Sequence, residues 1–239
     1  QTQRRHALRD CRGYFAPMNA PLWRWIPTLY FLQALPNVAV ATLSVVMYKN
    51  LGLSNTDIAL YTSWLYLPWV IKPLWSPLVD MLGTKRLWIV VMQLAVGAAL
   101  AMVALTLPAP NFVQLTLAVL WLLAFSSATH DIAADGFYMH ALPERQQAAF
   151  VGVRSLFFRG GLITGQGALV VLAGEIKDAS GSFVTAWQVV FAVLAGLFVV
   201  LAAYHHLVLP RPVSDVPAPQ RVASMTLINP TIARASRTK

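Results

Sequence analysis

The run Leu87-Trp-Ile-Val-Val-Met-Gln-Leu-Ala-Val-Gly-Ala-Ala-Leu-Ala-Met-Val-Ala-Leu-Thr-Leu107 contains no Asp, Glu, Lys or Arg. Coiled as a helix at about 1.5 Å per residue, it is long enough to cross the ~30 Å hydrocarbon layer of a bilayer. Lys85 and Arg86 precede it, where cations sit well at headgroup level. Working outward, five further segments have the same character: about Trp23 to Met47, Asp57 to Val79, Phe112 to Tyr138, Ala148 to Ala173 and Trp187 to Leu209. The composition agrees, with 57% of the 239 residues hydrophobic, 11% charged, and a mean hydropathy of +0.60. A soluble domain carries about 25% charged residues, so this chain lacks the polar surface to clothe a water-facing globule. The reading is an all-α membrane protein with six transmembrane helices. A bundle over 23–209 stands between a basic amino-terminal segment, 1–22, and a polar, proline-rich tail or linker, 210–239, in which disorder is expected.

Connections set the expected orientation. Arg4, Arg5, Arg9 and Arg12 precede the first segment, Lys85 and Arg86 lie in the second-to-third loop, Arg145 in the fourth-to-fifth, and Arg211 opens the tail. The opposite loops offer Lys49, then no cation around Pro108 to Asn111, then Lys177 offset by Glu175 and Asp178. The positive-inside rule therefore places both termini in the cytoplasm. The net charge of +9 then reads as topology and attraction to anionic lipid, not as a nucleic-acid footprint. A single cysteine, Cys11, excludes a disulfide framework and a cysteine-built metal site. Residues 1–18 lack the apolar core of a signal peptide, and the absence of an initiator methionine suggests a piece of a longer product.

Charges inside the apolar segments are the functional signal, because each costs about 2.5–3.5 kcal/mol on insertion scales unless it faces a cavity or a partner. Lys72 lies two-thirds along the second segment and Asp80 ends it. His130, Asp131 and Asp135 occupy the fourth, and Arg154 and Arg159 the fifth. Asp131 and Asp135 are four apart and share a helix face, about 6 Å apart along the axis. If the fourth and fifth segments are antiparallel neighbours turning near Pro143, Arg154 falls level with that pair and Arg159 lies deeper. A membrane-embedded ion pair or triad is then available, either as a static lock or as part of solute and proton handling. Pro36, Pro68 and Pro73 predict bent first and second segments around a cavity, with Gln33, Asn37, Tyr66 and Lys72 as cargo-binding candidates. His130 titrates near neutral pH and suits a proton relay or a structural role, whereas His205 and His206 read as interface anchors. Gly161 and Gly165 form one small-xxx-small step.

The second-to-third connection reads Ser76-Pro-Leu-Val-Asp80-Met-Leu-Gly83-Thr-Lys85-Arg86 and resembles the loop signature of the major facilitator superfamily at Asp80, Gly83 and Lys85. Ser76, Met81 and Thr84 depart from it. The fourth segment, Ser126-Ser-Ala-Thr-His-Asp131-Ile-Ala-Ala-Asp135-Gly-Phe-Tyr138, resembles the corresponding run of AmpG-like permeases and related acetyl-CoA transporters. The likeness extends from about Trp23 to Leu209. It implies one amino-terminal half of a twelve-span carrier. The whole carrier would be a solute:proton symporter of the bacterial inner membrane that takes up anhydro-muropeptide or a related sugar-containing solute. Its partners are then a small-molecule solute, protons, the lipid bilayer, and a missing carboxyl-terminal half or second six-span bundle. Cargo binding would fall to Gln33, Asn37, Tyr66, Lys72 and Arg159, and gating or proton coupling to Asp80, His130, Asp131, Asp135 and Arg154. No cofactor or metal is expected. A rival reading, an intramembrane metal-dependent phosphotransferase, rests on Asp131-x-x-x-Asp135-Gly136, but Met139 and His140 stand where its arginine belongs. A non-transporting scaffold is the third reading.

Overall fold

The computed structural model describes residues 20–212 and 215–217. The basic segment expected over 1–22, apart from its last three residues, lies outside the described residues, as do Cys11 and most of the tail. Among the described residues every regular element is helical. Five helical stretches are long and apolar enough to cross a membrane: Leu22–Asn50, Lys85–Thr106, Phe112–Ala141, Glu144–Ser180 and Phe183–Val208. We call them spans 1, 3, 4, 5 and 6.

Span 2 is the pass that differs from expectation. A single bent helix was expected, and the chain instead makes five short pieces: Asn55–Thr62, a 3₁₀ turn Ser63–Tyr66, Leu67–Ile71, a 3₁₀ turn Lys72–Leu74, and Ser76–Met81. Pro68, Pro73 and Pro77 each stand at the first or second position of a piece. There the missing N–H costs nothing, while the ring prevents the preceding helix from running through. The segmented pass still crosses the bundle. It begins beside the end of span 1, where Lys49 donates to Asn55 at 2.7 Å, and ends beside the start of span 3, where Asp80 pairs with Lys85.

The two sides of the bundle follow from contacts at known heights. On one side the start of span 1 meets the end of span 4, with the Trp25 and Phe137 rings 5.3 Å apart. On the same side the start of span 3 meets the end of span 6, where Arg86 donates to the Leu209 carbonyl. On the other side Tyr48 bonds Thr116 at 2.8 Å and Gln188 donates to the Ala104 carbonyl at 3.1 Å. Six helical passes result, and the described ends of the bundle lie on one side.

Span 3 packs along both span 4 and span 6, span 2 lies along span 4, and span 1 packs along span 5. Spans 4 and 5 touch over only a short stretch, so the expected side-by-side hairpin is corrected: span 1 is the principal neighbour of span 5. Gly161 and Gly165 make that contact possible. A Cβ on Gly161 would lie 2.5 Å from the Phe31 carbonyl oxygen and 2.8 Å from Ala34 Cβ, and one on Gly165 would lie 2.9 Å from Val38. The small-xxx-small step is thus the seam between two parallel helices.

Both helices of this seam carry a π-helical turn, Ala39–Leu43 in span 1 and Thr164–Ala168 in span 5. In span 1 the turn follows Pro36, whose absent N–H leaves the ladder to re-register. Span 5 also runs further than expected. Glu175, Lys177 and Asp178 sit in its last turns, not in a loop, and Gly181 caps it with φ 72°. Large apolar side chains face outward, among them Leu74, Leu105, Val200 and Leu207. Such a surface suits acyl tails and not water.

The tail begins in contact with the bundle. Asp215 is buried and accepts the backbone N–H groups of Lys85 and Arg86 at 2.7 and 3.0 Å. Its carboxylate caps the amino terminus of span 3 together with Thr84, which accepts from Leu87 N–H at 3.2 Å. In this short stretch a carboxylate has found two orphan helix donors.

Candidate functional site

A cavity of about 760 Å³ lies between spans 1, 4 and 5. Span 1 presents Tyr30 and Gln33, three residues apart and hence on one face. Span 4 presents Asp131. Span 5 lines the longest wall, with Arg154, Ser155, Phe158, Arg159 and Leu162, and its π turn brings Gln166 in. A second cavity of about 450 Å³ lies between spans 2 and 4, where Lys72, Asp80, Lys85 and Asp135 converge around Gly136. Although Asp131 and Asp135 are one turn apart, they line different cavities.

Asp135 is the join between the two. Arg154 reaches it from span 5 at 2.9 Å, and Tyr30 donates to the same carboxylate oxygen at 3.4 Å. The Arg154 guanidinium carbon also sits 4.6 Å from the Tyr30 ring centroid and 5.4 Å from that of Tyr138. Aromatic faces stabilise a cation by about 0.5–2 kcal/mol, more as water is excluded. Three spans therefore meet on one guanidinium. The expectation that Arg154 lies level with the two aspartates holds, but the partner is Asp135, and span 1 supplies the clasp.

Asp131 is 9% exposed, and its buried Oδ1 has no hydrogen-bond partner among the described residues. Lys72, across on span 2, is the opposite charge that acts on the carboxylate, and Gln33 and Trp69 act on it as side-chain hydrogen-bond partners. Gln33 Oε1, in the same cavity wall, is likewise buried and unpartnered. An unpaired buried acceptor costs about 1–3 kcal/mol, so two in one cavity wall mark a surface suited to hydrogen-bond donors.

Other expected residues are placed as follows. Arg159 lines the large cavity and is exposed there, and Lys72 lines the smaller one from a 3₁₀ turn. Asn37 is half-buried one turn beyond Gln33 on the same face of span 1. Tyr66 is exposed and stacks on Trp69 with centroids 5.5 Å apart, away from the large cavity's lining. Asp80 pairs with Lys85, which is nearly inaccessible at 3%, so it does not join the Arg154 group. The Lys85 stem lies over Gly136, where an added Cβ would fall 2.9 Å from Lys85 Cε.

His130 faces away from the cavities. Its Nε2 lies 3.1 Å from Gln93 Nε2, the Gln93 carbonyl oxygen lies 3.1 Å from His205 Nδ1, and His205 Nε2 lies 3.0 Å from the Thr28 hydroxyl. The amide fixes both roles: its NH₂ donates to His130, and its oxygen accepts from His205. This buried chain ties spans 1, 3, 4 and 6 together. The reading of His205 as an interface anchor is corrected, since the ring is fully buried; His206 is exposed. Sequence reasoning did not single out Tyr30, Gln93 or Asp215, and took Lys85 only as a loop cation and signature position. Tyr30 was findable, being in helical register with Gln33 and Asn37, whereas Asp215 offered no local signal.

Among the described residues, six helical passes, an outer surface rich in exposed apolar side chains and charged groups gathered around cavities have the character of a multi-pass membrane protein. The chain belongs to the major facilitator superfamily, whose family model matches residues 28–237. It is similar to the anhydromuropeptide permease of Escherichia coli K12, 26% identical over 159 residues, covering 64% of this chain and 30% of that protein. It is similar also to the putative transporter AmpG 3 of Rickettsia prowazekii, 26% over 147 residues, covering 57% and 32%. An uncharacterized protein of Schizosaccharomyces pombe is 28% identical over 145 residues, covering 54% and 28%. The chain thus spans about a third of the length of these curated relatives. The likeness expected to AmpG-like permeases is thus found among named relatives, and a family of transporters leaves the phosphotransferase reading without support.

Proposed function

We propose that this chain is the amino-terminal half of a solute:proton symporter that imports anhydro-muropeptide or a related sugar-containing solute across a bacterial inner membrane, with both ends of the bundle in the cytoplasm. The observation that carries the proposal is the cavity between spans 1, 4 and 5. Within helices otherwise faced with hydrocarbon it gathers two guanidinium groups, one carboxylate and two carboxamides. Such groups match the carboxylates, hydroxyls and amides of a sugar–peptide cargo. The cargo class follows the name of the Escherichia coli relative. The orientation rests on the positive-inside count and on the two bundle ends sharing a side.

On this reading Arg159, Gln33 and Asn37 contact cargo from the large cavity and Lys72 from the smaller one, with Tyr66 at the margin. Asp131, facing Lys72, carries the proton, and the Arg154–Asp135 contact opens and closes with access. His130 and Asp80 act by holding spans 3, 4 and 2 in place. A second six-span bundle closes the site, as rocking of two halves about a midplane cavity requires.

The test is uptake of radiolabelled anhydro-muropeptide by cells expressing the complete gene product that carries this chain. Uptake that collapses with a protonophore, and falls at least tenfold in both Arg159→Ala and Lys72→Ala at equal protein level, is the expected result. Unchanged uptake in both variants rejects the cavity assignment, and uptake indifferent to the protonophore rejects proton coupling.

A further inference from the structure

On the outer face of the bundle, away from both cavities, a groove of about 390 Å³ runs between spans 3 and 6. Its walls are apolar: Val90 and Leu94 on one side, Val199, Ala203 and Leu207 on the other. One end is different. His206 closes it, and Arg86 stands one turn before Val90 and two before Leu94, on the same face of span 3. Arg86 is held there by donating to the carbonyls of His206 and Leu209, the last turns of span 6. Arg211 follows two residues after Leu209 and is close enough to act on Arg86 as a like charge. Asp215, whose oxygens accept the backbone N–H groups of Lys85 and Arg86, also acts on Arg86 as an opposite charge, so it offsets one of the two guanidinium charges and leaves the cluster net positive.

The groove therefore joins an apolar trough, about 12 Å long over the eight residues from Arg86 to Leu94, to a cluster of two guanidinium groups and an imidazole at its mouth. We propose that it is a binding site for an anionic glycerophospholipid. One acyl chain lies in the trough between spans 3 and 6, and the phosphate sits against Arg86, Arg211 and His206. Two features favour this occupant over a second protein. The trough opens on the hydrocarbon-facing surface, and its cations lie at the end of two spans, at the depth of headgroups. Arg86 anchors the lipid to the same residue that clasps the end of span 6 to the start of span 3.

The experiment uses the full chain purified in a neutral detergent, with thermal melting and native mass spectrometry as readouts. Phosphatidylglycerol is titrated against phosphatidylcholine of the same acyl composition, and inorganic phosphate is a third arm. The site predicts tight retention of one phosphatidylglycerol and a raised melting temperature. Arg211→Gln weakens its binding about fivefold, as expected for one cation near an anionic headgroup. Ala203→Trp, which fills the trough, removes the retained lipid. Both positions are exposed, and unchanged helical circular dichroism accompanies each variant. Equal retention of phosphatidylcholine, stabilisation by phosphate alone, or retention undiminished in Ala203→Trp overturns the proposal.

Discussion

Gly160 and Gly161 are adjacent in span 5, yet substitution by alanine should affect them oppositely. A Cβ on Gly160 meets nothing within 4 Å, whereas one on Gly161 would lie 2.5 Å from the Phe31 carbonyl oxygen. The obstructing atom is backbone, so it cannot swing aside as a side-chain end could. Both substitutions gain about 1 kcal/mol from better helix propensity. Only Gly161→Ala must force spans 1 and 5 apart, an overpacking that costs about 1–3 kcal/mol or more. The difference between the two variants isolates the clash, because the propensity gain cancels. At about 2–4 °C per kcal/mol for a chain of this size, Gly161→Ala should melt roughly 2–12 °C below Gly160→Ala. The assay is thermal unfolding in one detergent at matched concentration. Equal melting temperatures, or a more stable Gly161→Ala, would refute the close parallel seam and with it the placement of Arg154 against Tyr30.

Other perturbations probe separate parts of the structure. Asp215→Asn weakens a charge-assisted cap on span 3 by about 1 kcal/mol, and should speed amide hydrogen exchange at Lys85 and Arg86 while leaving span 4 amides unchanged. Gln93→Leu strips the amide from between His130 and His205, and should destabilise the bundle by about 2–4 kcal/mol, read as a lower melting temperature. Gly136→Leu collides with the Lys85 stem, and should lower uptake by the complete gene product more than Gly152→Leu, a position where a Cβ meets nothing within 4 Å.

The apolar runs were legible because hydrophobic length alone decides a membrane pass, and the five continuous spans coincide with the expected segments to within a few residues at most ends. Span 2 was legible as bent but not as segmented. Three prolines predict interruption, whereas the restart of a helix at each one depends on where span 4 supports the pieces. The charged residues were legible as a group, since their cost in hydrocarbon singles them out whatever their partners. Their partners were not. Assigning Arg154 to Asp135 and not Asp131 depends on span 1 standing beside span 5, which chain adjacency argued against, and pairing Asp80 with Lys85 depends on how the short loop between spans 2 and 3 turns. Gly161 and Gly165 held that information in a pattern too short to be decisive alone.

The energetics separate the two ion pairs that the sequence grouped together. In the Arg154–Asp135 pair the side chains are 32% and 35% exposed, so water competes at both ends. A pair so placed is worth about 0–1 kcal/mol, too little to serve as a lock between spans 4 and 5, which otherwise barely touch. Lys85 is in the contrary position. Its ammonium pairs with Asp80, its stem covers Gly136, and its backbone N–H is held by Asp215. Breaking that arrangement strands a nearly buried charge, which costs several kcal/mol. The junction of spans 2, 3, 4 and 6 is therefore the rigid part of the bundle, and the contact of span 5 with span 4 is where it yields most cheaply. If the proposed carrier opens the cavity between spans 1, 4 and 5, the half-exposed Arg154–Asp135 pair is the contact that costs least to break.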